Sequence, residues 1–253
     1  MNIIIKSTAE IEKIRYAGKL AAEVLEMIAP HIQAGVTTLE LNDLCHHHIV
    51  EVQKAVPAPL NYRGFPKSVC TSVNQVVCHG VPSAREVLKA GDIINIDITI
   101  IKDGYFADTS KMFAIEPITN EARQLLQVTE TCLWLGIREV KPGAYLGNIG
   151  AVIQRWAKTH SYSIVREYCG HGVGLAFHEP PSVLHYGTSG TGPKLRPGMI
   201  FTIEPMLNAG SRKIQLLDDG WTVVTKDRQL SAQYEHTVLV TSEGYEVLTS
   251  SRA

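Results

Sequence analysis

Apolar side chains recur at helical spacing near the start of the chain. Ser7 and Glu10 form the capping-box pattern that begins a helix, and apolar residues then recur every three or four positions as far as Ile32. Thr37 and Glu40 form a second capping box, which predicts another helix soon after the first. Two consecutive helices are therefore expected before any strand.

From residue 67 onward the pattern becomes that of β-strands. The run Ile93 to Ile101 is rich in β-branched residues, as a buried strand should be. The segment 102–104 reads Lys-Asp-Gly, a turn signal, so strands over 92–101 and 105–113 are predicted to form a hairpin. Shorter strands are predicted over 68–73 and 76–78.

The same order of helices and strands occurs twice. Helices are predicted over 120–140 and 146–156, and strands over 199–204, 221–224, 234–240 and 245–248. Residues 88–97 align with residues 195–204 with four identities in ten positions. We therefore expect one α+β domain, 1–253, built from two pseudo-twofold-related α/β halves (about 1–118 and 119–253) around a central antiparallel sheet, with a functional site where the halves join.

Composition excludes several classes of partner. Lys and Arg number 24 and Asp and Glu 25, so the basic excess of a phosphate-binding protein is missing and no DNA partner is expected. Hydrophobic residues make up 45% and charged residues 19%, which is typical of a globular protein. No run of apolar residues is long enough to span a bilayer, so no membrane partner is expected.

Cysteine and histidine usage narrows the setting further. The five cysteines show no CxxC pair and no regular spacing, which favours a reducing, cytoplasmic location. The apolar run Ile3 to Ile5 is too short for a signal peptide. His46, His47 and His48 are adjacent, and side chains on a helix fan out by about 100° per residue, so these three do not converge on one metal ion.

Four carboxylates lie in strands that are otherwise apolar. Asp97 and Glu204 occupy equivalent positions in the repeat, and the next strand of each half adds Asp108 and Glu235. The predicted hairpin brings Asp97 roughly across from Asp108, and the repeat does the same for the two glutamates. Acids that converge in a buried place repel one another, so divalent metal ions are the natural counter-charge.

A nitrogen ligand for such a site is available in a glycine-rich segment. His171 lies between Gly170 and Gly172, where small neighbours would let the ring approach a metal closely. His79 precedes Gly80 in a similar setting in the first half. Hard carboxylates with one imidazole suit Mn, Fe(II), Co or Zn.

These residues lie in motifs that together resemble a known family. The sequence resembles the type I methionine aminopeptidases of bacteria over essentially its whole length. The motifs that carry the resemblance are Asn95-Ile96-Asp97, Asp108-Thr109-Ser110, Gly170-His171-Gly172, Phe201-Thr202-Ile203-Glu204-Pro205 and Ser231-Ala232-Gln233-Tyr234-Glu235-His236-Thr237. The resemblance implies the pita-bread fold, which agrees with the repeat, and removal of the initiator methionine from nascent proteins whose second residue is small.

The resemblance also assigns roles to individual residues. Two divalent ions would activate a water and be held by Asp97, Asp108, His171, Glu204 and Glu235, with Asp108 and Glu235 bridging. Glu204 would act as general base and acid, and His79 and His178 would contact the substrate peptide. The methionine pocket would use Tyr62, Phe65, Cys70, Phe177 and Trp221. A monovalent cation would be held by Asn74, Val76 and Ser231.

Some features remain open at this level. Pro59 and Phe65 stand where many relatives carry cysteine and tyrosine, which leaves the fine shape of the pocket undecided. A monomer that meets nascent chains, with transient ribosome contact, is expected from the role alone. The physiological metal, the second-residue preference in detail and a housekeeping or second-copy role are not determined by the sequence.

Two other function classes compete with this interpretation. A proline-specific peptidase of the same fold would normally need an added N-terminal domain, for which a chain of this length leaves no room. A non-enzymatic binding protein with the same fold would be expected to have lost metal ligands, and all five are present here.

Overall fold

Four α-helices and fifteen strands form the described part of the protein. The computed structural model describes residues 2–250. The helices are α1 (Thr8–Ile28), α2 (Thr38–His47), α3 (Asn120–Arg138) and α4 (Gly147–Thr159). The strands of the first half are β1 (Val56–Pro57), β2 (Cys70–Val73), β3 (Val76–Cys78), β4 (Ile93–Lys102) and β5 (Tyr105–Ala114). Those of the second half are β6 (Ser163–Ile164), β7 (Gly170–Gly172), β8 (Glu179–Val183), β9 (Ile200–Ile203), β10 (Met206–Asn208), β11 (Ile214–Leu216), β12 (Val223–Thr225), β13 (Ser231–Gln233), β14 (His236–Val240) and β15 (Tyr245–Val247).

Both capping boxes begin helices as predicted. The Ser7 hydroxyl accepts from the Glu10 amide and the Thr37 hydroxyl from the Glu40 amide, and each glutamate side chain accepts from its cap residue in return. The first helix ends at Ile28 and continues only as a 3₁₀ turn that contains Pro30, because proline interrupts the α-helical hydrogen bonds.

In the first half, β4 is the central strand of an antiparallel sheet. It pairs with β5 on one edge and with β2 and β1 on the other. Its isoleucines Ile94, Ile96, Ile98 and Ile100 are fully buried in a cluster with side chains from α1 and α2. Side chains alternate along a strand, so Asp97 and Thr99 point to the opposite face.

The second half repeats this arrangement. Strand β9 lies between β14 and β7, as β4 lies between β5 and β2. Phe201 and Ile203 are buried in a cluster with residues of α3 and α4. Because side chains alternate along a strand, Thr202 points to the opposite face of the sheet, which is directed toward the first half. An antiparallel bridge between Ser110 and Glu235 connects the two sheets where they meet.

The strands predicted over 199–204 and 234–240 are present, and each has a short neighbouring strand in the chain that was not predicted. The segment 199–204 forms β9, and after a gap at Glu204 and Pro205 the chain continues as β10; the segment 234–240 forms β14, preceded by β13. One register runs through both pairs, since Met206 pairs with Gln233 and Ile203 with His236. Glu204 therefore faces Glu235 across the break between the ladders.

None of the helices in residues 2–250 is both long enough and apolar enough to cross a membrane.

Candidate metal centre

All five predicted ligands line one cavity of about 560 Å³. They come from both halves and are Asp97, Asp108, His171, Glu204 and Glu235. Asp108, Glu204 and Glu235 are buried, with exposed fractions of 4%, 7% and 2%. The cavity therefore lies where the two sheets meet, as the repeat predicts.

The first hairpin places its two aspartates two residues out of register with each other. Asp97 pairs with Ser110, and Asp108 pairs with Thr99, so the two acids are diagonal neighbours on one face rather than directly opposite. The Thr99 hydroxyl donates to Asp108 Oδ1 at 2.8 Å. This bond fixes one carboxylate oxygen of Asp108 and leaves Oδ2 toward the cavity.

In the second half the two glutamates do face each other. The Thr202 hydroxyl donates to Glu204 Oε1 at 2.8 Å, and the Gln233 amide donates to Glu204 Oε2 at 3.2 Å. Thr202 and Gln233 are themselves buried. The Glu204 carboxylate is thus held from both sides by neutral donors.

His171 presents one ring nitrogen to these acids. Its Nδ1 lies 2.9 Å from the Gly172 carbonyl oxygen, which can only accept, so Nδ1 carries the hydrogen. Nε2 is then the lone-pair nitrogen, and it lies 3.7 Å from both Asp108 Oδ2 and Glu204 Oε1. A neutral imidazole in this tautomer is a metal ligand oriented by a backbone carbonyl.

Contacts with neighbouring strands give a reason for the glycines beside His171. A Cβ on Gly170 would meet the Thr202 carbonyl, and a Cβ on Gly172 would meet the Pro180 carbonyl. The close approach of β7 to its neighbouring strands therefore excludes larger residues at both positions.

Burial makes the ionised acids costly without a cation. It raises the pKa of Asp97 to about 7 and the pKa of Glu204 to about 8. Burial, followed by the charge of the other acids, raises the pKa of Asp108 and of Glu235 well above the usual range. Burial lowers the pKa of His171 to about 3, so this ring is neutral at pH 7. Four acids in this place favour a bound cation.

The donor set fits divalent metal ions. One ligand atom from each of Asp108, His171 and Glu235 lies within 4.8 Å of the other two. Glu235 Oε1 is buried and finds no hydrogen-bond partner among the described residues. An acceptor left in this way costs free energy unless it is protonated or bound to a cation.

Two further histidines line the same cavity. His178 Nδ1 lies 3.0 Å from the Tyr62 hydroxyl, and its ring centroid is 4.2 Å from that of His171. His79 packs edge-on against Tyr168 and has a left-handed backbone with φ of 56°. Backbone of this kind is uncommon outside glycine and is concentrated at functional sites. Burial lowers the pKa of each of His79 and His178 to about 4.

Aromatic side chains form the apolar wall of the cavity. The Phe65 and Trp221 rings meet edge to face at 5.2 Å, and Tyr62 and Phe177 lie 4.8 Å apart. Cys70 lies on the same wall and is a buried thiol. The five predicted pocket residues therefore share one cavity with the five predicted ligands.

The residues predicted for a monovalent cation lie together elsewhere. The Ser231 amide donates to the Asn74 carbonyl oxygen at 2.8 Å, and Val76 lies two residues further along in β3. The Asn74 side chain bonds to Asp92 and to the Ile93 amide.

Several residues at the centre were not predicted. The acids accept hydrogen bonds from the side chains of Thr99, Thr202 and Gln233. In addition, the Glu204 amide donates to Nε2 of the buried His185 at 3.0 Å. The threonines had a usable signal, since each lies two positions from an acid and hence on the same face of its strand. His185 had none, because it is one histidine in an apolar segment.

Comparison with known proteins places the chain among metallopeptidases. Residues 12–242 match the sequence profile of metallopeptidase family M24. The methionine aminopeptidase of Salmonella typhimurium is 57% identical over 249 residues, which cover 98% of this chain and 94% of that protein.

Solved structures agree over the whole chain. The methionine aminopeptidase of Rickettsia prowazekii superposes with a TM-score of 0.96 at 52% identity, covering 98% of this chain and 100% of that one. The methionine aminopeptidase of Thermotoga maritima gives a TM-score of 0.96 at 36% identity, with the same coverage. These matches confirm the α+β pita-bread fold that the sequence predicts.

Proposed function

The chain belongs to metallopeptidase family M24, among the type I bacterial methionine aminopeptidases, and on this basis we propose its reaction in detail. It hydrolyses the bond after the initiator methionine of nascent proteins when the second residue is small. The observation that carries the proposal is that metal-ligand side chains and an aromatic pocket line one cavity. A side chain bound against the aromatic wall lies next to the acids.

The proposed cofactor is a pair of divalent ions, Co, Mn, Fe(II) or Zn. They would be held by Asp97, Asp108, His171, Glu204 and Glu235, and Asp108 and Glu235 would each contact both ions. The unpartnered Glu235 Oε1 supports this assignment. Divalent ions supply a water whose pKa is lowered toward about 7, and they polarise a carbonyl group.

Glu204 is proposed to move the proton. Its carboxylate is oriented by Thr202 and Gln233, which fixes both oxygens relative to the cavity. In this position it would take a proton from the attacking water and later give it to the leaving amine. Glu204 is thus both a ligand and the general base and acid.

His178 and His79 are proposed to contact the scissile peptide group. If the Tyr62 hydroxyl donates to His178 Nδ1, then Nε2 carries the hydrogen and can donate to a developing oxyanion. His79 would hydrogen-bond the scissile amide nitrogen. Because both pKa values are lowered to about 4, both rings are neutral at pH 7 and add no charge that would repel a free N-terminal ammonium group.

The methionine side chain is assigned to the aromatic wall. Tyr62, Phe65, Cys70, Phe177 and Trp221 would surround it. Phe65 is only 2% exposed, and a thioether bound among these rings would be removed from water. Burial of this kind contributes about 1.5–3 kcal/mol for a methionine side chain.

The remaining assignments concern the setting of the enzyme. We propose that 1–253 acts as one catalytic domain and as a monomer, in the cytoplasm, on nascent N-termini that it meets near the ribosome. The free state of all five cysteines supports a reducing compartment. Asn74, Val76 and Ser231 are proposed to bind one monovalent cation through oxygen atoms, since the Ser231 amide bonds to the Asn74 carbonyl and Val76 follows Asn74 by two residues.

A direct assay tests the reaction. Protein stripped with EDTA and reloaded with Mn, Fe(II) or Co is expected to release methionine from Met-Ala-Ser, and to act poorly on Leu-Ala-Ser and on Xaa-Pro peptides. The stripped protein is the matched control. Failure of these three metals and of Zn to support cleavage of Met-Ala-Ser would refute the proposal, and preferential cleavage of Xaa-Pro peptides would favour the proline-specific alternative.

A further inference from the structure

A buried ion pair connects the N-terminal segment to the loop that carries Phe177 and His178. Lys6 Nζ donates to Glu179 Oε2 at 2.5 Å, and the side chains of Lys6 and Glu179 are 0% and 3% exposed. Glu179 begins β8, directly after His178. The two partners are 173 residues apart in sequence, so the contact exists only in the folded chain.

The same carboxylate also closes the loop. Its other oxygen, Oε1, accepts from the Leu175 amide at 2.6 Å and from the Ala176 amide at 2.8 Å. The loop 173–178 joins β7, which carries His171, to β8. Glu179 therefore fixes the backbone directly before Phe177 and His178, the two residues of the loop whose side chains line the cavity.

Lys6 is itself held firmly in place. Its amide donates to the Gly198 carbonyl at 2.9 Å, and a Cβ on Gly198 would meet both Ile5 and Lys6. On the loop side, a Cβ on Gly174 would meet Lys6 Cε. Backbone on one side and the loop on the other thus enclose the lysine side chain.

A buried ion pair contributes little net stability, because its desolvation opposes the attraction between the charges. Removing two charges from water costs several kcal/mol per ion in real proteins, and well-packed apolar residues often stabilise as much. What the carboxylate adds here is two directed acceptor contacts to the loop amides, which an apolar side chain lacks.

We propose that Glu179, neutralised by Lys6, is a positioning residue that holds the 173–178 loop so that Phe177 and His178 face the substrate. The inference rests on the proposed roles of those two residues. It does not involve the metal ligands, none of which bonds to Lys6 or Glu179 among the described contacts.

Two double variants separate positioning from stability. K6M/E179Q removes both charges but keeps an oxygen acceptor for the amides of Leu175 and Ala176. K6M/E179L removes both charges and the acceptor. Each avoids the unpaired buried charge that a single substitution would leave. Lys19→Met, on the exposed face of α1, is the matched control for loss of a lysine.

Two readouts, kcat/KM and amide exchange, are expected to change together, and a third, manganese affinity, is expected to stay constant. For K6M/E179Q, kcat/KM on Met-Ala-Ser should stay within about threefold of the wild-type value, and for K6M/E179L it should fall by about tenfold or more, largely through KM. Manganese affinity should be unchanged in both. In metal-free protein, hydrogen exchange of the amides at 175 and 176 should accelerate only in K6M/E179L.

Failure of the positioning proposal can be distinguished from failure of the proposed function. Inactive wild-type protein would count against the reaction, whereas the exchange measurement on metal-free protein still tests the positioning. Equal kcat/KM and equal exchange in the two double variants, whether both high or both low, would overturn the inference. If K6M/E179L does not fold, K6M/E179A takes its place, because it also removes the acceptor without adding a branched side chain.

Discussion

Ser110 and Glu235 exchange two backbone hydrogen bonds, with the Ser110 amide 3.3 Å from the Glu235 carbonyl and the Glu235 amide 3.1 Å from the Ser110 carbonyl. This pair connects β5 of the first half to the chain just before β14 of the second. The Thr109 hydroxyl adds a third bond to the Glu235 carbonyl at 2.8 Å. The position of Glu235 relative to Asp108 is therefore set by backbone contacts and not by a metal alone.

Glu204→Gln is expected to separate metal binding from proton transfer. The amide keeps an oxygen toward the cavity but cannot accept a proton from water, so kcat should fall by about 10²–10⁴-fold. Metal content after gel filtration should stay above about half of the wild-type value. Glu243→Gln, at an exposed position, is the control. Near-normal turnover in the Glu204 variant would refute the acid-base role.

Thr202→Val is expected to weaken the centre without touching a ligand. The hydroxyl accepts from the His171 amide at 3.0 Å and donates to Glu204 Oε1, so valine leaves a partly buried amide without its acceptor and this carboxylate oxygen without a donor. The free energy of unfolding of metal-free protein should fall by about 1–3 kcal/mol, and manganese affinity should fall about 10–100-fold. Thr202→Ser keeps the hydroxyl and should retain most of the affinity. Equal manganese affinities for the valine and serine variants would contradict this prediction.

That the residues proposed as ligands lie together could be predicted, because local rules act on them. Asp97 and Glu204 stand out as acids in apolar strands, and strand alternation turns them away from the helices. The turn at 102–104 then places Asp108 near Asp97, although the pairing is diagonal and not direct. The predicted strand 199–204 ends at this break, but β10 beyond Pro205 could not be predicted, because proline marks a ladder as irregular without saying where pairing resumes.

Contacts between residues that are distant in sequence could not be predicted, because no local sequence pattern indicates them. Lys6 and Glu179 are far apart in sequence, and no periodicity relates them. Strands β7 and β8 were also missed, because glycine and proline disfavour strands, and these segments pair only because neighbouring strands are already present. The same holds for His185, whose role depends on where β9 ends.

The stability of metal-free protein should show the raised pKa of Glu204. Folding raises this pKa from the ordinary 4.5 to about 8. The folded state therefore favours the neutral carboxyl group of Glu204. The contribution of this group to the free energy of unfolding is fully present below about pH 4.5 and is lost as pH rises to about 8. The buried histidines act in the opposite direction, since their lowered pKa values cost stability as pH falls.

Comparison with Glu204→Gln isolates the acid from the histidines. In urea titrations of EDTA-treated protein, the stability of the wild type relative to the variant should decrease between about pH 5 and pH 8, by at most about 1.4 kcal/mol per pH unit. A difference that stays constant over this range would show that Glu204 has an ordinary pKa. Added manganese should remove the slope, because the ionised form is then the one that is bound.

Phe65 is expected to determine affinity for methionine. Phe65→Ala removes the ring that meets Trp221 edge to face, and the loss of apolar contact should raise KM for Met-Ala-Ser about tenfold. Turnover should change less, because the acids are untouched. Phe65→Tyr is the matched control and should stay within about threefold of the wild-type KM. An unchanged KM for the alanine variant would place the methionine elsewhere in the cavity.

Gly170→Ala tests whether strand spacing, rather than the metal, requires glycine beside His171. The added Cβ would press on the Thr202 carbonyl, which belongs to β9 and cannot rotate away as a side chain would. Relief requires β7 to separate from β9, so the free energy of unfolding of metal-free protein should fall by about 1–3 kcal/mol. Gly244→Ala, where a Cβ meets nothing within 4 Å, should change it by less than about 0.5 kcal/mol. If the metal were the cause, the Gly170 variant would be as stable as the wild type without metal and would differ only in metal affinity.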